Sequence, residues 1–311
     1  MQMLVGLLTA SGPADPPPLA HGDCFKHPSR CGYPDATNTG VPPGTKLRPS
    51  GSIIVSRDGA TLGGLRVRGT VTVAADDVTI RDSRITQGRG GSGSYAIILN
   101  EGADDFKIID SEVAGPRSRS VGLQSAVWNH YGNPGATAVR SYFHRCADCW
   151  EGAGTFRHDY IVVDAAYADS HDENIYVCGG SVDVGHSTLI NRNRQTATVF
   201  GDTSGCGGNS FKVTDSLLAG GGFLLYPQAN SGRPVGSMNI SGNHFARCRT
   251  APVYDEDSGG TTCSGGADSH GIFPNGGYFG VAAYYYRGKN QIWMKNVWDD
   301  NLRPACPQLT C

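Results

Sequence analysis

The densest run of chemically capable side chains is Tyr167-Ala-Asp-Ser-His-Asp-Glu-Asn-Ile-Tyr176. His171 can remove a proton near neutral pH, and Asp169, two residues earlier, can orient its ring. A cation is needed to offset charge when a proton leaves a carbon beside a carboxylate, and Arg192 or Arg194 would supply it. Tyr176 or Tyr226 could then protonate the departing oxygen. The same neighbourhood permits a different reaction. Asp172 and Glu173, with Asp202 further along, offer the paired carboxylates that divide acid and base work between them. Both chemistries remain open at this level.

Such residues need a frame, and the frame is written as a repeat. ADDVTIRDS at 75–83 returns as ADDFKIIDS at 103–111, with Ala75/Ala103, Asp76/Asp104, Asp77/Asp105, Ile80/Ile108, Asp82/Asp110 and Ser83/Ser111 matching at one offset of 28. A fixed period of this length marks stacked units, none of which buries its apolar face alone. The phrase recurs as FKVTDSLL (211–218), and weaker copies include TAVRSYFH (137–144), YIVVDAAY (160–167), VDVGHSTLI (182–190) and GSMNISGNHF (236–245). Taking Asp82, Asp110, Ser141, Asp164, His186, Asp215 and Ser241 as equivalent gives steps of 28, 31, 23, 22, 29 and 26. Apolar and polar residues alternate within each copy, as in half-buried strands. Further strands are expected at YAIIL (95–99), VGLQSAVW (121–128), ENIYV (173–177), TATVF (196–200) and GFLLY (222–226). The expectation is an all-β, right-handed, single-stranded parallel β-helix of about eight to ten coils, each of two or three short strands. Segment 1–22 reads as a signal remnant and linker, 23–50 as an N-terminal cap and 51–311 as the β-helix with a C-terminal cap. Forty-four glycines suit the many turns that such coils require.

Ten cysteines, an even number with close neighbours, point to disulfides and an oxidising compartment. Sequence order pairs Cys24 with Cys31, Cys248 with Cys263 and Cys306 with Cys311. Cys146-Ala-Asp-Cys149 lacks the strand-then-helix setting of a redox motif and the second pair of a zinc site, so structural cysteines are expected there. MLVGLLTA (3–10) resembles a short secretion-signal core and is too short to span a bilayer. A secreted, extracellular chain follows from these features. The net charge of −2 offers no basic footprint for nucleic acid. Without coiled-coil heptads the expected state is a monomer, with side-by-side trimerisation left open. Asp255-Glu256-Asp257 is the candidate metal site, and Ca2+ the cation that its oxygens suit.

The segment GATLGGLRVRGTVTVAADDVTIRDSRI, with its recurring V-x-I-x-D-S phrase, resembles the right-handed parallel β-helix superfamily of pectate and alginate lyases, polygalacturonases and mannuronan C5-epimerases. The likeness covers about 250 residues. It implies a groove on one sheet face, where outward residues of successive coils form rows able to hold a polysaccharide substrate. Trp128, His130, His158, Tyr176, Arg192, Tyr226 and Gln228 are the residues expected to contact it. Asp169-Ser-His171 is similar to the Asp-Pro-His of the epimerases, with Ser170 in place of Pro. Asp172-Glu173, Gly185-His186-Ser187 and Arg192-Asn-Arg194 are similar to the Asp-Asp, Gly-His-Gly and Arg-x-Lys of the polygalacturonases. The resemblance thus implies β-elimination on a uronate-containing glycan, with hydrolysis by paired carboxylates as the alternative. A non-catalytic glycan-binding surface or phage tail module is a third reading.

Overall fold

The computed structural model describes residues 24–117, 121–167, 170–177, 179–202, 210–228, 236–249, 253–255, 260–263, 272–283 and 290–308. Nearly every strand lies in one of three parallel sheets of ten, nine and nine strands. The chain visits the first, second and third sheets in turn, and each circuit stacks on the one before. The first sheet runs from Arg48–Ser50 to Val297–Trp298, the second from Ile53–Val55 to Gly280–Ala282, and the third from Thr61–Gly63 to Gln291–Met294. The single described helical element is a short 3-10 turn at Pro28–Cys31. None is long and apolar enough to cross a membrane among the described residues. The parallel β-helix expected from the repeat is therefore present.

Strands of three to five residues leave one or two side chains apiece pointing inward, which explains the short apolar phrases. In the first sheet Val67, Ile85, Val113, Phe143, Ile161, Leu189, Leu218 and Phe245 stand in register and are buried. Ile80, Ile108, Ala138, Phe156, Val184, Val213 and Ile240 do the same in the third. Both columns close on one continuous core. Parallel pairing gives each strand two neighbours and buries its backbone polar groups in ladders.

The turn from the third sheet to the first is the most regular part of each coil. One residue there adopts a left-handed conformation: Gly64, Asp82, Asp110, Arg140, His158, His186, Asp215, Gly242 and Lys295, with φ between 47° and 70°. Asp and Gly tolerate that region, which accounts for the recurring Asp. Except after Gly64, where Leu65 follows, the next residue is polar and points inward. Its side chain accepts the backbone N–H of its counterpart one coil earlier: Ser111 from Ser83, Asp159 from Ser141, Ser187 from Asp159, Ser216 from Ser187, Asn243 from Ser216 and Asn296 from Asn243, at 2.7–3.1 Å. This buried ladder corrects the alignment read from sequence. Asp164 lies beyond a first-sheet strand, where its carboxylate accepts the Arg145 N–H. The true turn of that coil is His158-Asp159, the coil from Arg140 to His158 is only eighteen residues long, as is the one from Gly64 to Asp82, and Ser141 and Ser241 are each one place out of phase.

Segment 24–47 runs lengthwise along the coils. At one end the N–H groups of Cys24 and Phe25 donate to Asp299; further along, Gly32 O accepts from His186 Nε2 and Gly40 N–H donates to Arg140 O. Cys24–Cys31 and Cys248–Cys263 are disulfides, as sequence order indicated, and Cys146–Cys149 is a third. Cys306 is also disulfide-bonded, whereas Cys311 lies outside the described residues. These bonds fit an extracellular setting. The ladder makes a quantitative expectation. Asn243→Ala leaves the Ser216 N–H without an acceptor in the core, and should lower unfolding free energy by about 1–3 kcal/mol in denaturant titration. Asn239→Ala on the outer side of the same coil should cost well under that.

Candidate active site

The second sheet departs from strict alternation. Two consecutive residues point inward on its middle strands, as seen in the fully buried pairs Ala96-Ile97, Ala126-Val127 and Cys149-Trp150. Consequently the residues before and after each pair both face outward. One outer row is Tyr95, Ser125, Asp148 and Glu173. The other is Ile98, Trp128, Glu151, Tyr176, Phe200 and Tyr226. Adjacent coils are about 4.8 Å apart, so these side chains touch. Ring contacts join Tyr95 to Trp128 at 5.3 Å, Tyr176 to Phe200 at 5.3 Å and Phe200 to Tyr226 at 5.2 Å. Glu151 thus interrupts an aromatic row, with flat faces on both sides.

Four carboxyl groups converge there: Asp148 and Glu151 on strand Cys146–Glu151, and Asp172 and Glu173 at the start of strand Glu173–Val177. All four residues are at most 7% exposed. Burial drives the Asp148 carboxyl well above the usual range, and the charge and hydrogen bond of Glu173 push it further. Asp148 therefore keeps its proton to higher pH than an ordinary aspartate. Burial also raises Glu151 to about 7, with the Glu173 charge adding; hydrogen bonds from Ser125, Gln124 and Trp128 oppose the rise. Asp172 is likewise raised to about 7 by burial and by Glu173, against hydrogen bonds from Ser170 at 2.7 Å and from Asn193. Tyr167, over the same cluster, is pushed to about 12 by burial and then by Asp148 and Glu151. One Glu173 oxygen, Oε1, is buried and accepts no hydrogen bond. Near neutral pH this surface holds protonated and ionised carboxyls together, which is the equipment of general acid–base catalysis.

Of the residues expected from sequence, Asp172, Glu173, Trp128, His130, Tyr176 and Tyr226 fall in or beside these rows. His130 stacks on Trp128 at 5.3 Å, and its Nδ1 is 4.0 Å from Glu151 Oε2. Arg194 lines a cavity of about 460 Å3 with Tyr167, Ser170 and Asp172, and its guanidinium lies 3.8 Å over the Tyr278 ring. The Arg192 backbone pairs with Val163, and its Nη1 is buried without a hydrogen-bond partner. His171 is exposed and hydrogen-bonds Thr196 Oγ1 at 3.2 Å. Asp169 lies outside the described residues, as do Glu256 and Asp257. Asp202 and Gln228 are strand partners at the second sheet's edge of register, and Asp255 sits in a two-stranded antiparallel ribbon. His158 belongs elsewhere. It occupies the left-handed turn between the third and first sheets, 4.8 Å from the His186 ring, because the repeat's Asp position falls there.

Sequence reasoning passed over Asp148 and Glu151. Their strand, CADCWE, is wholly buried and carries a disulfide, so it reads as a cysteine motif and not as the strand that precedes ENIYV. No sequence pattern marks them: Asp148 meets Glu173 only through the stacking of second-sheet strands 25 residues apart. Comparison with protein-family models, curated proteins and solved structures finds no match to this chain.

The raised carboxyls make stability depend on pH with a definite sign. Glu151 and Asp172 titrate near 7 in the fold and near about 4 when unfolded, so the folded state binds more protons between those values. Their contribution is fully present below about pH 4 and is lost as pH rises to 7, on the order of 3 kcal/mol per group. Glu112 and Asp183 work oppositely: burial raises them, but His144 and Arg84 in one case and Arg157 and Lys212 in the other bring them below the usual range. The comparison of variants isolates the cluster. The double variant Glu151→Gln, Asp172→Asn should lose less melting temperature than the parent between pH 5 and pH 8 in scanning calorimetry.

Proposed function

We propose that this chain is a secreted glycoside hydrolase acting on a polysaccharide laid along the outer face of the second sheet. The observation that supports it most is the group of four buried carboxyls set into an aromatic row, with Glu151 raised to about 7. Aromatic faces on either side of Glu151 suit sugar rings in successive subsites. In this reading protonated Glu151 donates its proton to the glycosidic oxygen, and the bond from that oxygen to the anomeric carbon breaks. A second carboxyl of the cluster, Glu173 beside Asp148, takes a proton from the water that attacks the same carbon. Each turnover consumes one water and restores both groups after proton exchange with solvent. Tyr176, Phe200 and Tyr226 on one side and Trp128 on the other hold the chain in line.

Elimination with His171 as base has weaker support. That ring is exposed and engaged with Thr196, and the neighbouring carboxyls disfavour the carbanion that elimination forms beside a uronate. Arg194, beside Asp172, is the feature of the site that would favour an acidic sugar.

The assay follows reducing ends and the absorbance of unsaturated products on a panel of neutral and uronate-containing glycans. Reducing ends without new absorbance are expected. Glu151→Gln should lower kcat by about 10²–10⁴-fold with the fold intact. The parent's activity should fall as pH rises through about 7, because Glu151 then loses the proton it must give. His171→Ala should stay active; its inactivation together with absorbing products would replace hydrolysis by elimination.

A further inference from the structure

A second concave site lies on a different sheet and has the opposite charge. Between the outer face of the first sheet and the lengthwise segment 24–47 is a cavity of about 820 Å3. Arg66, Arg68, Arg84, Arg117 and Arg145 line it, along with the carboxylate of Glu112. Arg66 and Arg84 are direct strand partners, an arrangement of like charges that costs stability unless an anion lies between them. Arg84 is paired with Glu112 at 2.7 Å. Among the described residues Arg66, Arg68 and Arg117 have no ion-pair partner. Three uncompensated guanidinium groups thus face one hollow in a chain whose net charge is −2.

The hollow is built, not incidental. Its far wall is Ala36, Thr39 and Val41, fixed by the Asp35 carboxylate, which accepts the N–H groups of Ser29 and Thr37, and by the Gly40 N–H donating to Arg140 O. On its floor His144 is 2% exposed and stacked on Tyr142 at 4.1 Å. The His144 Nε2 contacts Glu112 Oε1 at 3.3 Å, whereas its Nδ1 is buried with no hydrogen-bond partner.

We propose that this cavity binds an anionic oligosaccharide segment, holding its sulfate or carboxylate groups with Arg66, Arg68 and Arg117 and a hydroxyl with Glu112. Guanidinium forks match both oxyanions in paired hydrogen bonds. The size is that of a small-ligand pocket, and a walled hollow offers no long charged track of the kind a nucleic acid follows. The reading of the chain as glycan-directed chooses the ligand class, but this site shares no residue with the carboxyl cluster.

Calorimetric titration tests it without requiring turnover. The full chain is titrated with a sulfated oligosaccharide, a carboxylated oligosaccharide, sodium sulfate alone and a DNA duplex. Saturable binding of one of the two oligosaccharides is expected, weakened about tenfold or more by the double variant Arg66→Ala, Arg68→Ala and, on the opposite rim, by Arg117→Ala. All three side chains are exposed, and unchanged melting curves would confirm folded variants. Reducing-end release from a short neutral substrate should be unaffected by these changes, and Glu151→Gln should leave the binding intact. Unchanged affinity in the arginine variants, binding of sulfate alone as tightly as the oligosaccharide, or equal binding of DNA would overturn the proposal. Absence of turnover with arginine-dependent binding would remove the hydrolase reading and leave this one standing.

Discussion

Everything in this molecule hangs on one hydrogen bond made once per coil. At the corner between the third and first sheets, a buried side-chain oxygen accepts the backbone N–H of the coil before it, and the residue preceding that side chain takes a left-handed turn. A tight corner leaves an N–H facing the core, where water cannot reach it, and an unmet donor there is expensive. Ser, Asn and once Asp meet the need from within. Because the contact joins neighbouring coils, it sets their register as well as closing the corner. The other two corners are then free to vary in length, since neither is needed to hold the stack in phase.

That freedom is where the carboxyl cluster arises. The coil from Arg140 to His158 spends only eighteen residues on a full circuit, with minimal corners at Arg145 and Gly152. Its second-sheet strand contributes Asp148 and Glu151. The coil that follows is longer, and it brings Tyr167, Ser170 and Asp172 over that strand. The preceding coil adds His130 and Tyr131 beside Trp128. A short coil between longer ones makes a floor with walls, and the walls account for the burial of the acids. Burial in so little water raises the proton affinities of Asp148, Glu151 and Asp172, so the geometry that shapes the hollow also tunes its acids.

The repeat was legible because the ladder and turn demand the same residue types each time: Asp82-Ser83 and Asp110-Ser111 announce both. It faded where another residue could serve. Arg140, His158 and Lys295 accept the left-handed turn, and Asp159 replaces Ser in the ladder, so FRHD at 156–159 carries the phrase in disguise. Half of the cluster was legible too, as Asp172 and Glu173 stand in a run of polar residues that no core requires. Asp148 and Glu151 were not, because the paired inward residues of the second sheet break strict alternation. Cys149 and Trp150 point into the core together, which puts acids three apart on one outer face. Spacing of that kind resembles neither a plain strand nor a helix.

The two charged hollows are connected by the cross-section of the coil. The first and second sheets meet at the corner that contains Arg145, so the arginine cavity and the carboxyl rows lie on adjacent outer faces. A polymer bearing periodic anions is repelled by the acids wherever they are ionised and drawn to the arginines at all times, since guanidinium groups keep their charge. Its anionic stretches would settle on the first sheet, leaving a less charged linkage to enter the aromatic row around Glu151. Under the proposed reading, separation of the charges on two faces would let one short solenoid hold an acidic chain without placing its anions on top of carboxyls. A single mixed groove would satisfy both by pairing arginine with glutamate, as Arg84 and Glu112 already do, and would then have neither the free cations nor the raised acids.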